Sequence, residues 1–105
     1  MESRHIQIET TFEKYDDAKL MADKMRDASL IACGQISEAT SIYDWEGKRC
    51  ESKEFVLKMK TRSELYYDCE KFILKHHPYK TPQITKTTIS GSEAFFNWID
   101  TSTVK

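Results

Sequence analysis

The chain has 105 residues and a mass of 12.3 kDa, which fits one domain over residues 1–105, because a single core usually occupies about 100 to 150 residues. Hydrophobic residues make up 39% and charged residues 31%, a globular composition that excludes wholesale disorder. Sixteen basic side chains balance seventeen acidic ones without forming a basic stripe, so the sequence excludes nucleic acid as a main partner.

The first third of the chain predicts a strand followed by a helix. Apolar or β-branched residues alternate with polar ones from about Arg4 to Phe12, the period of a half-buried strand. A helix is predicted from Tyr15 to Ser29, because small and apolar residues repeat there at helical spacing: Ala18, Met21, Ala22 and Met25. Asp16 and Asp17 stand where acidic side chains favour a helix N-terminus.

The middle of the chain predicts a long β-hairpin. The segment from Leu30 to Trp45 is β-like, and the polar patch Ser37–Ala39 predicts a bend or bulge within it. Gly47 follows Glu46 and can adopt the positive φ of a tight reversal, after which Phe55–Lys60 alternates as a return strand.

A second helix is predicted after this hairpin. Thr61 and Glu64 have the spacing of a capping box, which would open the helix. One apolar stripe is predicted along it, formed by Leu65, Cys69, Phe72 and His76. His77 would lie about 100° from that stripe, and Pro78 ends the helix.

The last part of the chain predicts a weak strand and a short C-terminal helix. The strand is the polar, β-branched stretch PQITKTTI, and the helix follows Gly91 and Ser92 and contains Phe95, Trp98 and Ile99. The predicted order is therefore β, α, β, β, α, β and a short α. This is an α+β fold of the ferredoxin-like, split βαβ type.

The cysteines and the lengths of the apolar runs indicate where in the cell the protein is expected. Cys33, Cys50 and Cys69 are odd in number and far apart, which argues against a disulfide framework and a zinc knuckle. The start MESRHIQIETTF has no long apolar region, and no run approaches the roughly 20 residues that span a bilayer. We therefore expect a cytoplasmic protein with reduced thiols and no membrane partner.

Four segments together identify a family. They are TSIYDWEGK at 40–48, KTRSE at 60–64, HHPYKTPQI at 76–84 and NWI at 97–99. With them the chain resembles the CutA family of divalent-ion tolerance proteins over nearly its whole length. The resemblance implies a ferredoxin-like protomer in a compact cytosolic homotrimer, with copper and other divalent cations as ligands. It implies no catalysed reaction.

The chain departs from the family pattern at two positions that bear on metal binding. Gln83 stands where members commonly have Glu, so one anionic ligand is absent. Thr10 stands where some bacterial members have a metal-linked cysteine. The last strand is also more polar than is usual in the family.

The adjacent histidines have two interpretations. His77, with His76 as a helper, would offer imidazole nitrogens to a weakly bound Cu(II) or another divalent cation. Alternatively, both only form the polar end of a helix, where histidine interacts well with the helix dipole. Both interpretations stay open for His77, and for His76 we favour a core or interface role.

The remaining candidates belong to an interface or a cleft. Tyr43, Trp45 and Glu46 at the hairpin tip, together with Trp98, are predicted to lie in the trimer interface. A second hypothesis is a small-molecule sensor or interaction scaffold like the PII signalling trimers, with ligand sites in clefts between subunits. Candidate cleft residues are Lys60, Tyr79, Gln83 and Cys33, although a strand cysteine such as Cys33 is more often a core residue.

Catalysis is not expected. The sequence has no nucleophile with an adjacent base and no paired carboxylates at an informative spacing. With only three glycines it also has no phosphate-binding loop and no dinucleotide fingerprint, so no organic cofactor is expected. The sequence thus predicts a non-enzymatic protein whose partners are other copies of itself and metal ions.

Overall fold

The computed structural model describes residues 4–104 and has the predicted order of strands and helices. The elements are β1 (His5–Phe12), α1 (Tyr15–Asp27), β2 (Cys33–Trp45), β3 (Lys48–Arg62), one 3-10 turn (Ser63–Leu65), α2 (Tyr66–His76), β4 (Thr85–Thr88) and α3 (Glu93–Ser102). The strands form one antiparallel sheet in the order β2-β3-β1-β4, which confirms the α+β prediction. Within the described range, no helix combines the length and the apolar character needed to cross a membrane.

The hydrophobic core lies between one face of the sheet and helices α1 and α2. Alternate residues of the two central strands are fully buried there: Ile6, Ile8 and Phe12 of β1, and Leu57 and Met59 of β3. The helices contribute Met21 and Met25 from α1, and Cys69 and Ile73 from α2. Each large apolar side chain buried in this way contributes about 1.5 to 3 kcal/mol, so this layer is the main source of stability.

Helix α3 covers part of the other face of the sheet. His5 precedes the core residue Ile6 and so faces the opposite side. Its ring stacks on Phe96 of α3 at 4.1 Å, and its Nε2 lies 2.8 Å from Oδ1 of Asp100. Arg62, the cross-strand partner of His5, donates to the hydroxyl of Thr103 at 2.8 Å. These contacts attach α3 to the end of the sheet where β1 begins.

Helix α1 ends two residues earlier than predicted. Ser29 has a φ of 58°, in the left-handed region, and terminates the helix. The N–H of Leu30 donates to the carbonyl of Met25 at 3.0 Å, and the N–H of Ser29 donates to that of Arg26 at 2.9 Å. These two bonds form a Schellman motif, which satisfies carbonyls that the helix leaves unpaired.

Strands β2 and β3 extend beyond the rest of the sheet as a long hairpin, whose outer part, residues 41–55, we call the arm. Pairing is one to one from Cys33 opposite Lys60 to Trp45 opposite Lys48. The bulge predicted at Ser37–Ala39 is therefore wrong. Ser37 and Glu38 are exposed on β2, so polar side chains there cause no break in pairing. The reversal at the tip is confirmed, since Glu46 and Gly47 have φ values of 53° and 79°, as in a type I′ turn.

The second helix does not open with the predicted capping box. Thr61 is a buried residue of β3, and its hydroxyl donates to the carbonyl of Leu30 at 2.6 Å. The helix begins instead with the 3-10 turn at Ser63, and the residues at both N-cap positions make no side-chain capping bond. Thr61 is used in the strand and not as a helix cap, because the buried carbonyl of Leu30 would otherwise lose this donor at a cost in stability.

Candidate functional site

His77 is the buried member of the histidine pair and His76 the exposed one, so the predicted stripe is wrong at its end. Helix α2 stops at His76, and His77 has an extended backbone with φ −73° and ψ 137°, as expected before Pro78. The chain then turns the His77 ring inward, parallel to the Phe12 ring at 4.3 Å. His77 is only 9% exposed and continues the buried row formed by Tyr66 and Ile73.

Both ring nitrogens of His77 have backbone partners. Nε2–H donates to the carbonyl of Thr11 at 2.9 Å, and Nδ1 accepts the N–H of Tyr79 at 3.0 Å. Because Nδ1 accepts, the proton belongs on Nε2 in the neutral ring. Burial lowers the pKa of His77 below its usual 6.5, although the bond to Thr11 and the charges of Asp17 and Glu54 oppose this. Metal ligation by His77 stays a prediction, and it requires one of these bonds to break.

His76 has a different environment. It is exposed, and its ring tilts against that of Phe72 at 4.3 Å. It also lines a shallow pocket between α1 and the end of α2. An exposed imidazole can meet a ligand without any loss of buried hydrogen bonds.

Tyr79 connects the segment after α2 to the base of the arm. Its hydroxyl donates to Oε2 of Glu54 at 2.9 Å, and its ring leans against that of His77 at 4.9 Å. Burial and the Glu54 carboxylate raise the pKa of Tyr79 well above its usual 10, so it stays a phenol. The exposed Gln83 lies in the chain between Tyr79 and β4.

Within one chain, the candidate cleft residues do not all lie at one place. Lys60 and Cys33 are direct cross-strand partners, and the Lys60 ammonium donates to Oε1 of Gln35 at 2.9 Å. Tyr79 instead contacts Glu54, which precedes Lys60 by six residues in β3. At the rise of a strand, Glu54 and Lys60 are therefore about 20 Å apart. A cleft that uses both groups would have to form between subunits, so the sensor hypothesis stays a prediction.

The predicted interface residues are exposed. Tyr43 is 43% exposed, Trp45 65% and Trp98 45%, and Glu46 is exposed at the tip. The Tyr43 hydroxyl lies 3.4 Å from that of Ser52 on the paired strand. Trp98 stacks with Phe95 along α3 at 5.7 Å. Large apolar surfaces of this kind mark interaction sites more often than scattered single residues do.

The surroundings of His77 contain no ready-made cluster of metal ligands among the described residues. Residues 4–104 contain no group of three or more His, Cys, Asp or Glu side chains close enough to hold one metal ion. Thr10 is fully buried, and within this range its hydroxyl has no hydrogen-bond partner. A cation would therefore have to use fewer protein ligands than a closed structural site does.

Comparison with known proteins decides the family. Residues 6–102 match the model of the CutA1 divalent ion tolerance protein family. The chain belongs to this family. The divalent-cation tolerance protein CutA of Pyrococcus horikoshii is 32% identical over 99 residues, which cover 93% of this chain and 97% of that protein. The protein of the same name from Archaeoglobus fulgidus is 33% identical over 97 residues.

Solved CutA structures have the same fold. The CutA1 divalent ion tolerance protein of Ehrlichia chaffeensis superposes with a TM-score of 0.93 at 29% identity, over 100% of this chain and 99% of that one. The periplasmic divalent cation tolerance protein CutA of Archaeoglobus fulgidus gives 0.91 at 32% identity, over 95% and 99%. The resemblance seen in the sequence is confirmed, and the CutA fold extends over the described residues.

Two acidic residues near the histidines have no signal in the sequence. The sequence indicates only a helix start at Asp17 and gives no signal for Glu54. In the structure both are near enough to His77 to act on its charge, and Asp17 lines the same pocket as His76. A one-dimensional pattern gives no sign of this proximity, because about sixty residues separate Asp17 from His76 along the chain.

Proposed function

We propose that this CutA chain is a non-catalytic, homotrimeric divalent-cation tolerance protein with a ferredoxin-like protomer and weak binding of Cu(II). The family supports the cation part of the proposal. The sheet order β2-β3-β1-β4 supports the protomer type. The observation that supports the assembly is the arm, which exposes a strand edge and large apolar side chains together.

The arm combines an edge strand of the sheet with exposed apolar side chains. β2 lies at the edge of the sheet for 13 residues, so no strand within residues 4–104 pairs with one row of its backbone N–H and C=O groups. Ile42 and Trp45 are each 65% exposed on this hairpin. Such long edges pair readily with another chain unless they are covered. Three copies arranged in a closed ring would cover every arm in the same way.

Light scattering tests the assembly. We expect a mass of about three times 12.3 kDa at micromolar concentration. The double variant Ile42→Thr and Trp45→Thr should shift the mass towards the monomer, because it removes apolar area that the partner buries. Leu20→Thr is the matched control, since Leu20 is 53% exposed but lies on α1, and it should leave the mass unchanged. A wild-type mass near 12.3 kDa would rule out the trimer.

Copper is the cation we propose first. Imidazole nitrogen prefers Cu(II) over the other divalent first-row metals, following the Irving–Williams order. The exposed His76 is the more accessible of the two predicted histidine ligands. The affinity for copper should be modest, because Gln83 contributes a neutral amide rather than a carboxylate.

A cytoplasmic location of the protein stays a prediction.

The absence of catalysis is the remaining part of the proposal. Burial raises the pKa of the Cys69 thiol to about 12, so this sulfur stays protonated and unreactive near neutral pH. Burial and a hydrogen bond to Glu70 raise the pKa of Tyr66 to about 12 as well. We expect purified protein to show no hydrolase, transferase or redox turnover above background. Reproducible turnover that Cys33→Ser abolishes would contradict this.

A further inference from the structure

A cavity of about 440 Å³ lies beside the contacts that attach helix α3 to the sheet. Five residues with charged or ionisable side chains line it: Arg4, His5, Arg62, Glu64 and Asp100. Its volume is in the range of small-molecule sites, about 300 to 1,000 Å³. The two arginines repel a divalent cation, so this cavity is not a further candidate for the proposed copper site.

Arg62 and Asp100 hold opposite charges close together at this cavity. The Arg62 guanidinium is fixed by Thr103, because its Nε–H donates to the Thr103 hydroxyl at 2.8 Å and a second N–H donates to the Thr103 carbonyl at 3.1 Å. Oδ1 of Asp100 lies 2.8 Å from Nε2 of His5. Asp100 and Thr103 are three residues apart on α3, which places their Cβ atoms about 5 to 6 Å from each other. The fold thus orients both groups without a ligand.

These two charges do not pair with each other. Among the ion pairs within residues 4–104, Arg62 pairs with Glu64, and none joins Arg62 to Asp100. The second carboxylate oxygen of Asp100 accepts no hydrogen bond from residues of that range. Arg4 lines the same cavity and forms no ion pair within that range. One positive group and one carboxylate oxygen therefore remain available to a ligand.

The mixture of charges in the lining selects the class of ligand. A simple anion would be attracted by the arginines but repelled by the carboxylates of Glu64 and Asp100, and a simple cation would meet the reverse. A molecule with both charges a short distance apart satisfies both kinds of group. Guanidinium binds a carboxylate through two parallel N–H···O bonds, and a carboxylate accepts hydrogen bonds from an ammonium group.

We propose that this cavity binds a small zwitterion of the free α-amino acid class, with its carboxylate on Arg4 and Arg62 and its ammonium group on Asp100. This binding is separate from cation tolerance and does not depend on it. Affinity should be modest, because Arg4 is exposed and the Asp100 side chain is 48% exposed, so water and salt screen both charges.

Nuclear magnetic resonance titration of the metal-free, nitrogen-15-labelled chain with L-alanine tests the site. We expect saturable shifts at the backbone amides of three lining residues: Arg4, Ser63 and Val104. Acetate and methylammonium carry only one charge each, so both should bind at least tenfold more weakly than L-alanine. The absence of saturable shifts with L-alanine would overturn the site. Acetate that binds as tightly as L-alanine would contradict recognition of a zwitterion.

Charge-removing variants test the assigned contacts. Arg4→Gln and Asp100→Asn should each weaken L-alanine binding at least fivefold, and asparagine keeps an oxygen for the contact with His5. Lys58→Gln and Glu93→Gln are the matched controls, because they remove charges of the same signs from β3 and α3 outside the cavity lining.

Both controls should bind L-alanine like the wild type. Unchanged affinity in either Arg4→Gln or Asp100→Asn would contradict the proposed arrangement. The amide spectrum identifies a variant that does not fold. If Asp100→Asn fails in this way, the exposed Arg4→Gln decides alone.

Discussion

Replacement of His77 by alanine is expected to lower the free energy of unfolding by about 3 kcal/mol at pH 8. The variant loses the ring that packs on Phe12 and leaves the Thr11 carbonyl and the Tyr79 N–H without their partner. Chemical denaturation of metal-free protein at fixed concentration measures the change. His76→Ala is the control and should stay within about 0.5 kcal/mol of the wild type, because His76 is exposed.

The same pair of proteins should differ in how stability responds to pH. Burial lowers the pKa of folded His77 below the unfolded value of 6.5, so the unfolded chain binds a proton more readily. The stabilisation by His77 is therefore complete above about pH 7 and is lost as pH falls through 6.5 towards the folded pKa. The gap between wild type and His77→Ala should narrow over that window. A gap that is constant from pH 8 to pH 5 would contradict a buried neutral imidazole.

Replacement of Thr10 by valine is expected to stabilise the protein by about 1 to 2 kcal/mol. Valine has nearly the same shape, and it replaces a fully buried hydroxyl for which the described residues offer no hydrogen-bond partner. β1 is a central strand, where a β-branched residue fits well. The midpoint of denaturation should move to higher denaturant without a change in slope.

Thr61→Val is the matched control for this variant. Thr61 is equally buried on the neighbouring strand, but its hydroxyl donates to the carbonyl of Leu30. The same substitution should therefore destabilise the protein there by about 1 kcal/mol, because the carbonyl loses its main donor. If both variants destabilise the protein, the hydroxyl of Thr10 has a partner after all.

The spacing of apolar residues in the sequence predicts most strands and helices, because the buried face of each element places apolar residues at a fixed period. It failed where two elements competed for one residue. Thr61 has the spacing of a helix cap, yet the β3 strand uses it to satisfy Leu30. His76 has the spacing of the buried stripe, yet Pro78 takes His77 out of the helix and turns that ring inward instead.

The candidate site was harder to predict than the fold for a related reason. The histidines were visible as a motif, but their hydrogen bonds run to Thr11 and Tyr79, whose backbone atoms have no sequence signature. Asp17 lines the His76 pocket only because α1 and α2 lie side by side on the sheet. Contacts between elements distant in sequence decide which imidazole is accessible.

The uninterrupted register of the arm limits how its length can change. Each residue from Cys33 to Trp45 faces one partner from Lys60 back to Lys48, and a two-residue turn closes the series. An insertion of one residue in either strand would move every side chain beyond it to the opposite face. Evolution, or a protein engineer, can therefore lengthen or shorten this hairpin only by matched residues on both strands if Tyr43 and Trp45 are to keep their orientation.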